Sequence, residues 1–321
     1  MCLNCNNKFK YKLVNGMIPR CLDCYPIKKS QSYGELELYN FIKSIYKGII
    51  LQRKRNIIKP LELDIYLPEH NLAFEYNGIY WHSEISSNTD KNYHLDKTEM
   101  CEKQNIQLIH IFEDEWLNKK DIIKNKIKHL LNLSDKKLYA RKCIIKEIIP
   151  KIKNQFLNEY HIQSEDKSKY KLGLFHNNDL VGVMTFGKPR LSSGYKNTKE
   201  GTYELIRFAT SIHIVGGFSK LLKHFIRNYK PIKIITYADR RYSQGNVYIK
   251  NGFKLINKGK PNYYYTKNHI QREHRFNYRK NVLNKKLDLY DKNLTEWQNM
   301  QINGYDRIWD CGSLKFELII N

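Results

Sequence analysis

Two short runs of alternating residues constrain this chain most. Leu61, Leu63, Ile65 and Leu67 occupy every second position, and Leu72, Phe74 and Tyr76 do the same after Pro68–Asn71. Period-two alternation signals half-buried strands, and a four-residue turn containing Pro and Asn joins them as a hairpin. The register then sets Leu67 against Leu72, Ile65 against Phe74 and Leu63 against Tyr76. On the polar face it sets Asp64 directly opposite Glu75. Like charges opposed across two strands destabilise a sheet. A pair that persists either lies in water at a sheet edge or shares a cation, and carboxylate oxygens suit Mg²⁺ or Mn²⁺.

The neighbouring motifs carry a resemblance. Glu35 stands in Tyr33-Gly-Glu-Leu-Glu-Leu-Tyr-Asn-Phe-Ile, a helical pattern ahead of the hairpin. Phe74-Glu75-Tyr-Asn77-Gly-Ile-Tyr-Trp81-His82 follows, then Tyr93-His94-Leu-Asp96-Lys97, then the strand Ile106 to Glu113. Over residues 30–117 this resembles the PD-(D/E)xK nuclease core, in particular the very-short-patch-repair-like endonucleases and related phage homing endonucleases. The resemblance implies a restriction-endonuclease-like α/β/α core and metal-assisted hydrolysis of a phosphodiester bond. Asp64 and Glu75 would hold Mg²⁺ or Mn²⁺, with Glu35 further out. His82 or His94 would move the proton, and Lys97, in the same motif as Asp96, would stabilise developing charge. The sequence departs from that pattern at Asn77, where a Lys is usual.

Cys2-x-x-Cys5 and Cys21-x-x-Cys24 match the four-cysteine zinc pattern. Such a site is closed, hence structural, and the metal supplies folding energy that so short a segment cannot. Lys8, Lys10, Lys12 and Arg20 lie between the two knuckles with Phe9 and Tyr11, a mixture that suits nucleic acid.

A second α/β pattern begins beyond a Lys- and Asn-rich linker at 131–137. Strands are expected at Tyr170–Phe175, Asp179–Gly187 and Ile232–Asp239. A glycine turn at Gly216-Gly217 opens a helix, and Tyr248-x-x-x-Gly252-Phe253 returns to the sheet. This order resembles the GNAT-type acyltransferase fold over 138–265. The pyrophosphate loop of that family fits His213-to-Phe218 in neither register. The same backbone N–H groups suit a DNA phosphate, with Lys220, Arg240 and Arg241 nearby. Asp239 reads as a structural strand-end residue or as a catalytic one. The tail is helical from Arg275 to Leu289, with Arg275 and Arg279 on a candidate DNA-facing side, and ends in a strand from Ser313 to Ile320.

Lys and Arg number 56 against 32 Asp and Glu, a net charge of +24 that attracts polyanions. No apolar run is long enough to span a membrane, and a reducing, cytoplasmic setting (the host's, for a phage protein) favours metal-ligand cysteines over disulfides. The expected architecture is a multidomain α/β chain. Its parts are a zinc ribbon (1–28), a nuclease domain (29–131), a GNAT-like domain (138–270) and a helix-and-strand tail (271–321). The expected activity is a metal-dependent endonuclease, a sequence-specific phage homing enzyme on double-stranded DNA, with structural Zn²⁺ and catalytic Mg²⁺ or Mn²⁺. The alternatives are a DNA-modifying GNAT-type acyltransferase with an appended nuclease-like domain, or a non-catalytic DNA-binding protein.

Overall fold

The structure, a computed structural model, describes residues 5, 6, 8, 32–134, 136–190 and 200–320. It is a mixed α/β chain of two compact units, Met1–Asn118 with Lys260–Gly312, and Lys119–Gly259 with Ser313–Asn321. The expected zinc ribbon falls outside the described residues, apart from Cys5, Asn6 and Lys8, which are exposed.

The first unit begins with α1 (Tyr33–Ile45), capped by Ser32, whose hydroxyl accepts from the Glu35 N–H at 3.1 Å. Strands β1 (Leu51–Ile58), β2 (Leu61–Leu67) and β3 (Leu72–Asn77) form an antiparallel meander. After α2 (Tyr93–Lys103), β4 (Gln107–Phe112) adds parallel to β3, and α3 (Glu113–Asn118) follows. Asn71, at φ 47°, closes the turn after Pro68. The hairpin register is Ile65–Phe74 and Leu67–Leu72, as alternation requires. Gly34 of α1 lies against the Tyr76 ring on one sheet face, and Cys101 of α2 packs with Ala73 and Leu108 on the other.

Residues 260–312 return to this unit with β13 (Tyr263–Lys267), β14 (Glu273–His274) and β15 (Tyr305–Trp309), in the order β14-β13-β15. The expected helix from Arg275 to Leu289 shrinks to a 3-10 turn and α8 (Lys280–Leu283), before α9 (Glu296–Ile302). Asn303 bonds both the N–H and the C=O of Leu289, and Asn299 accepts from the Asp291 N–H.

The second unit opens with α4 (Lys120–Leu130), β5 (Lys137–Tyr139), β6 (Ile144–Glu147) and α5 (Pro150–Tyr160). Then come β7 (Tyr170–His176), β8 (Asp179–Gly187), β9 (Thr202–Thr210), β10 (His213–Val215), α6 (Gly217–Tyr229), β11 (Lys233–Asp239), α7 (Asn246–Ile249), β12 (Lys254–Lys258) and β16 (Ser313–Ile319). Its seven-stranded sheet has the order β12-β16-β11-β9-β8-β7-β6. All neighbours are antiparallel except β9 and β11. Phe218, Leu221, Leu222 and Phe225 of α6 bury one face with Leu205, Ile234 and Phe316, while Phe156 and Leu157 of α5 cover Val183 and Ala209 on the other. The unit boundaries differ from the expected ones because β16 slots between β12 and β11, so the tail strand completes this sheet while 260–312 belongs elsewhere.

Candidate functional site

Two polar constellations stand out. The first, in the Met1–Asn118 unit, grows from α2. His94, Lys97, Thr98 and Cys101 form the buried stripe of that helix, at the spacing that faces a sheet. Lys97 Nζ lies 2.5 Å from Glu75 Oε2, with both side chains 4% exposed. The carboxylates of the hairpin do not simply oppose each other. Asp64 N–H donates to Glu75 Oε1 at 3.1 Å, and Tyr76 N–H donates to Asp64 Oδ2 at 2.9 Å. Each side chain replaces a carbonyl of the ladder. Burial, then the neighbouring Asp64, pushes the Glu75 carboxyl up to about 8. Burial likewise raises Asp64. Burial opposes the Lys97 charge, but Glu75 beside it, with Tyr93 and Asp64, raises the ammonium above its usual range.

Histidines line one side. His94 Nε2 and His82 Nδ1 are 2.9 Å apart, and the His94 ring meets the edge of His110. His110 bonds Asn77 at 3.2 Å and Thr98 at 2.9 Å. Burial, then Lys97, lowers His82 to about 3; burial, then His82 and His110, lowers His94 well below its ordinary value. Both stay neutral near pH 7. Glu35 pairs with Arg53 at 3.2 Å, and Arg53 also acts on Asp64. Asp96 is exposed on the outer side of α2. Asp64, Glu75, Lys97, His82 and His94 therefore come together as the sequence reading grouped them. His110, Thr98 and Arg53 were missed, although His110 is the one polar side chain inside the apolar run Leu108–Phe112.

The expected magnesium pair needs correction. The cation beside Glu75 is Lys97, which bonds Oε2, while Glu75 Oε1 and Asp64 Oδ2 accept from backbone N–H groups. Among the described residues no group of three or more His, Cys, Asp or Glu could hold a metal ion.

The second constellation lies where β9 and β11 part. Their parallel pairing runs from Lys233–Thr202 to Thr236–Leu205 and stops, leaving Ile206–Thr210 and Tyr237–Asp239 to diverge. A gap beyond the carboxyl ends of parallel strands is where α/β sheets receive ligands. Thr236 Oγ1 donates to the Leu205 carbonyl at 3.0 Å and is bonded to the Tyr248 hydroxyl. The Tyr248 ring is set by Phe218, Phe253 and Phe316, and burial raises its hydroxyl above the usual value. Burial lowers Arg207, which acts on Tyr248. A bulge between Thr185 and Phe186 aims this stretch of β9, with Arg207 N–H donating to Thr185 Oγ1 at 3.1 Å. The Tyr237 hydroxyl is buried with no hydrogen-bond partner among the described residues. Gly216, at φ 77°, opens α6 beside the split. The sequence marks Tyr248 only as part of a motif, and Arg207 and Thr236 carry no signal in their own segments.

The phosphate-facing cations expected here are placed differently. Lys220 Nζ donates to the Ala140 and Cys143 carbonyls. Arg240 is 3% exposed and Arg241 2% exposed. Arg241 clamps Asp239 at 2.7 Å, so Asp239 acts as a structural strand-end residue. Arg275 lies over the Tyr263 ring at 4.7 Å, and Arg279, exposed, donates to the Phe276 carbonyl at 3.2 Å. Cys2, Cys21, Cys24, Lys10, Lys12 and Arg20 lie outside the described residues.

The family described as the Mom protein family matches residues 142–307, which contain the whole split. No curated protein matches the chain. Among solved structures, the chain is similar to an IAA acetyltransferase from Bacillus cereus ATCC 14579, with 14% identity, 56% of this chain and 99% of that one covered, and a TM-score of 0.29. It is also similar to a GNAT family acetyltransferase from Elizabethkingia anophelis with acetyl-CoA bound (14% identity, 56% and 99% covered, TM-score 0.30). An N-acetyltransferase from Staphylococcus aureus Mu50 is similar at 14% identity, 56% and 99% coverage and a TM-score of 0.32. The Mom match corrects the expectation of a nuclease family, since no nuclease family matches, and with it the expected homing-endonuclease activity. Among the described residues no helix is long and apolar enough to cross a membrane.

Proposed function

We infer the function from one premise: the chain belongs to the Mom protein family. That family modifies DNA in an acetamidation-like reaction and acts on phage DNA. We propose that this chain modifies DNA by transferring an acyl-type group from a small activated donor to a base. The chemistry belongs to the seven-stranded unit, read as GNAT-like, at the split between β9 and β11. The observation that carries this reading is the family match over 142–307, because Arg207, Thr236 and Tyr248 all fall inside it.

The residues of the split suit the reaction. Transfer to a base amine breaks an N–H bond, and the donor's leaving group departs with a proton. Tyr248, held neutral by its raised pKa, can supply that proton to the leaving group and regain the one released by the amine, with Thr236 orienting the hydroxyl. Arg207 places positive charge beside it, where oxyanion charge would develop.

Expression in a bacterial host tests this without knowledge of the donor. Host DNA is digested and its nucleosides are read by mass spectrometry. A new, heavier nucleoside is expected with the native chain and is lost with Tyr248→Phe. Unaltered nucleosides beside abundant folded protein would sink the reading.

A further inference from the structure

A groove of about 840 Å³ runs between α6 and the β5–β6 segment of the second unit. Along α6, Ser219, Lys223 and Arg227 line it at four-residue spacing, hence on one stripe. Arg141 and the exposed side chains of Tyr139 and Ile144 line the other wall. Lys220 ties the two walls together through the Ala140 and Cys143 carbonyls, so this cation braces the groove. Arg141, Lys223 and Arg227 are exposed, and none has an ion-pair partner among the described residues. Arg141 stacks on the Tyr139 ring at 5.2 Å, which fixes its direction and leaves its charge in place. Glu147, the carboxylate that acts on His224 in the groove, accepts from the Tyr229 hydroxyl.

We propose that this groove holds the sugar–phosphate backbone of the DNA substrate, an inference that rests on the DNA-modifying reading above. Charge complementarity carries it. Three uncompensated cations face each other across an open groove, on a chain whose net charge is +24. Lys223 and Arg227 are separated by about 6 Å along the helix axis, close to two base-pair rises of about 3.4 Å along one DNA strand. Tyr139 and Ile144 give the sugars an apolar flank.

Full-length protein is titrated into a fluorescently labelled DNA duplex at several KCl concentrations, beside Arg141→Gln/Lys223→Gln/Arg227→Gln. Thermal melting confirms that each variant is folded. The triple variant should bind about tenfold or more weakly at low salt. Its slope of log affinity against log salt should be shallower by about two to three, one per lost phosphate contact. Lys103→Gln/Lys285→Gln/Lys292→Gln, equal in charge and elsewhere on the surface, should keep the native slope. Native slope in the groove variant, equal loss in the control, or no duplex binding by the native chain overturns the proposal. So does pyrophosphate binding that the groove variant loses while its DNA binding is unchanged. Host-DNA nucleosides separate the two claims. A modified nucleoside with native binding by the groove variant sinks the groove alone. No modified nucleoside, with the slope lost as expected, sinks the reaction alone.

Discussion

The Lys97 ammonium lies 2.5 Å from the Glu75 carboxylate where each side chain is 4% exposed. A buried pair of this kind is costly to break, because the partner left behind has neither water nor counter-charge. Above pH 8, where Glu75 is ionised, Lys97→Met should destabilise its unit by about 3–5 kcal/mol. Adding Glu75→Gln should recover part of that loss. All four tryptophans (Trp81, Trp116, Trp297 and Trp309) belong to this unit, so fluorescence-detected urea unfolding reads it selectively. A loss below about 1 kcal/mol would mean that the ammonium is solvated rather than paired.

The same cluster sets a pH dependence. Glu75 has its carboxyl raised to about 8 from 4.5, so between those values the folded chain holds a proton that the unfolded chain releases. Stability from this group is therefore lost as pH rises toward 8. Asp64, also raised, acts in the same sense. His82 and His94, lowered, act in the opposite sense, but only as pH falls below 6.5. Between pH 6.5 and 8 the carboxylate pair is unopposed by these histidines. The tryptophan-detected stability should fall there by up to about 1.4 kcal/mol per pH unit for one proton, and Glu75→Gln should flatten the descent. A slope unchanged by that substitution would place the proton elsewhere.

Arg272 is 4% exposed. It bonds Asp114 at 2.9 Å and Glu115 at 2.9 Å, and it lies 3.8 Å above the Phe112 ring. A lysine cannot reproduce a planar fork stacked on an aromatic ring. Arg272→Lys should cost about 2–3 kcal/mol in the same fluorescence assay, within the range for hydrogen bonds to charged groups. Arg279→Lys, at an exposed position, should cost under about 0.5 kcal/mol.

Gly245 precedes α7 at φ 80°, and a Cβ there would sit 2.1 Å from Phe316 Cζ. Strain and clash act together. Gly245→Ala should displace Tyr248, abolish the host-DNA modification and lower the melting temperature of the second unit by several degrees, read by circular dichroism. A variant as stable and as active as the native chain would show that the turn before α7 accepts a Cβ without moving Tyr248.

Local periodicity made much of the skeleton legible. Alternation in Leu61–Tyr76 yields the hairpin and its register, because side-chain facing in a strand has period two whatever surrounds it. Tyr93-His94-Leu-Asp-Lys97 likewise puts His94 and Lys97 on one inward helix stripe. The identity of the cation beside Glu75 was not legible. That depends on α2 crossing the sheet so that Lys97, 22 residues away, reaches the carboxylate. Nor could spacing reveal that Lys220, Arg240 and Arg241 are spent inside the fold while Arg141, Lys223 and Arg227 remain outside. A cation's role depends on which carbonyls and carboxylates surround it. The split between β9 and β11 is likewise a product of strand order, which brings Arg207, Thr236 and Tyr248 together from three separate segments. The sequence by itself determined the strands, helix stripes and overall charge, since those follow from neighbours in the chain. Only the tertiary structure decided which polar groups meet, because burial and pairing arise between residues far apart in sequence.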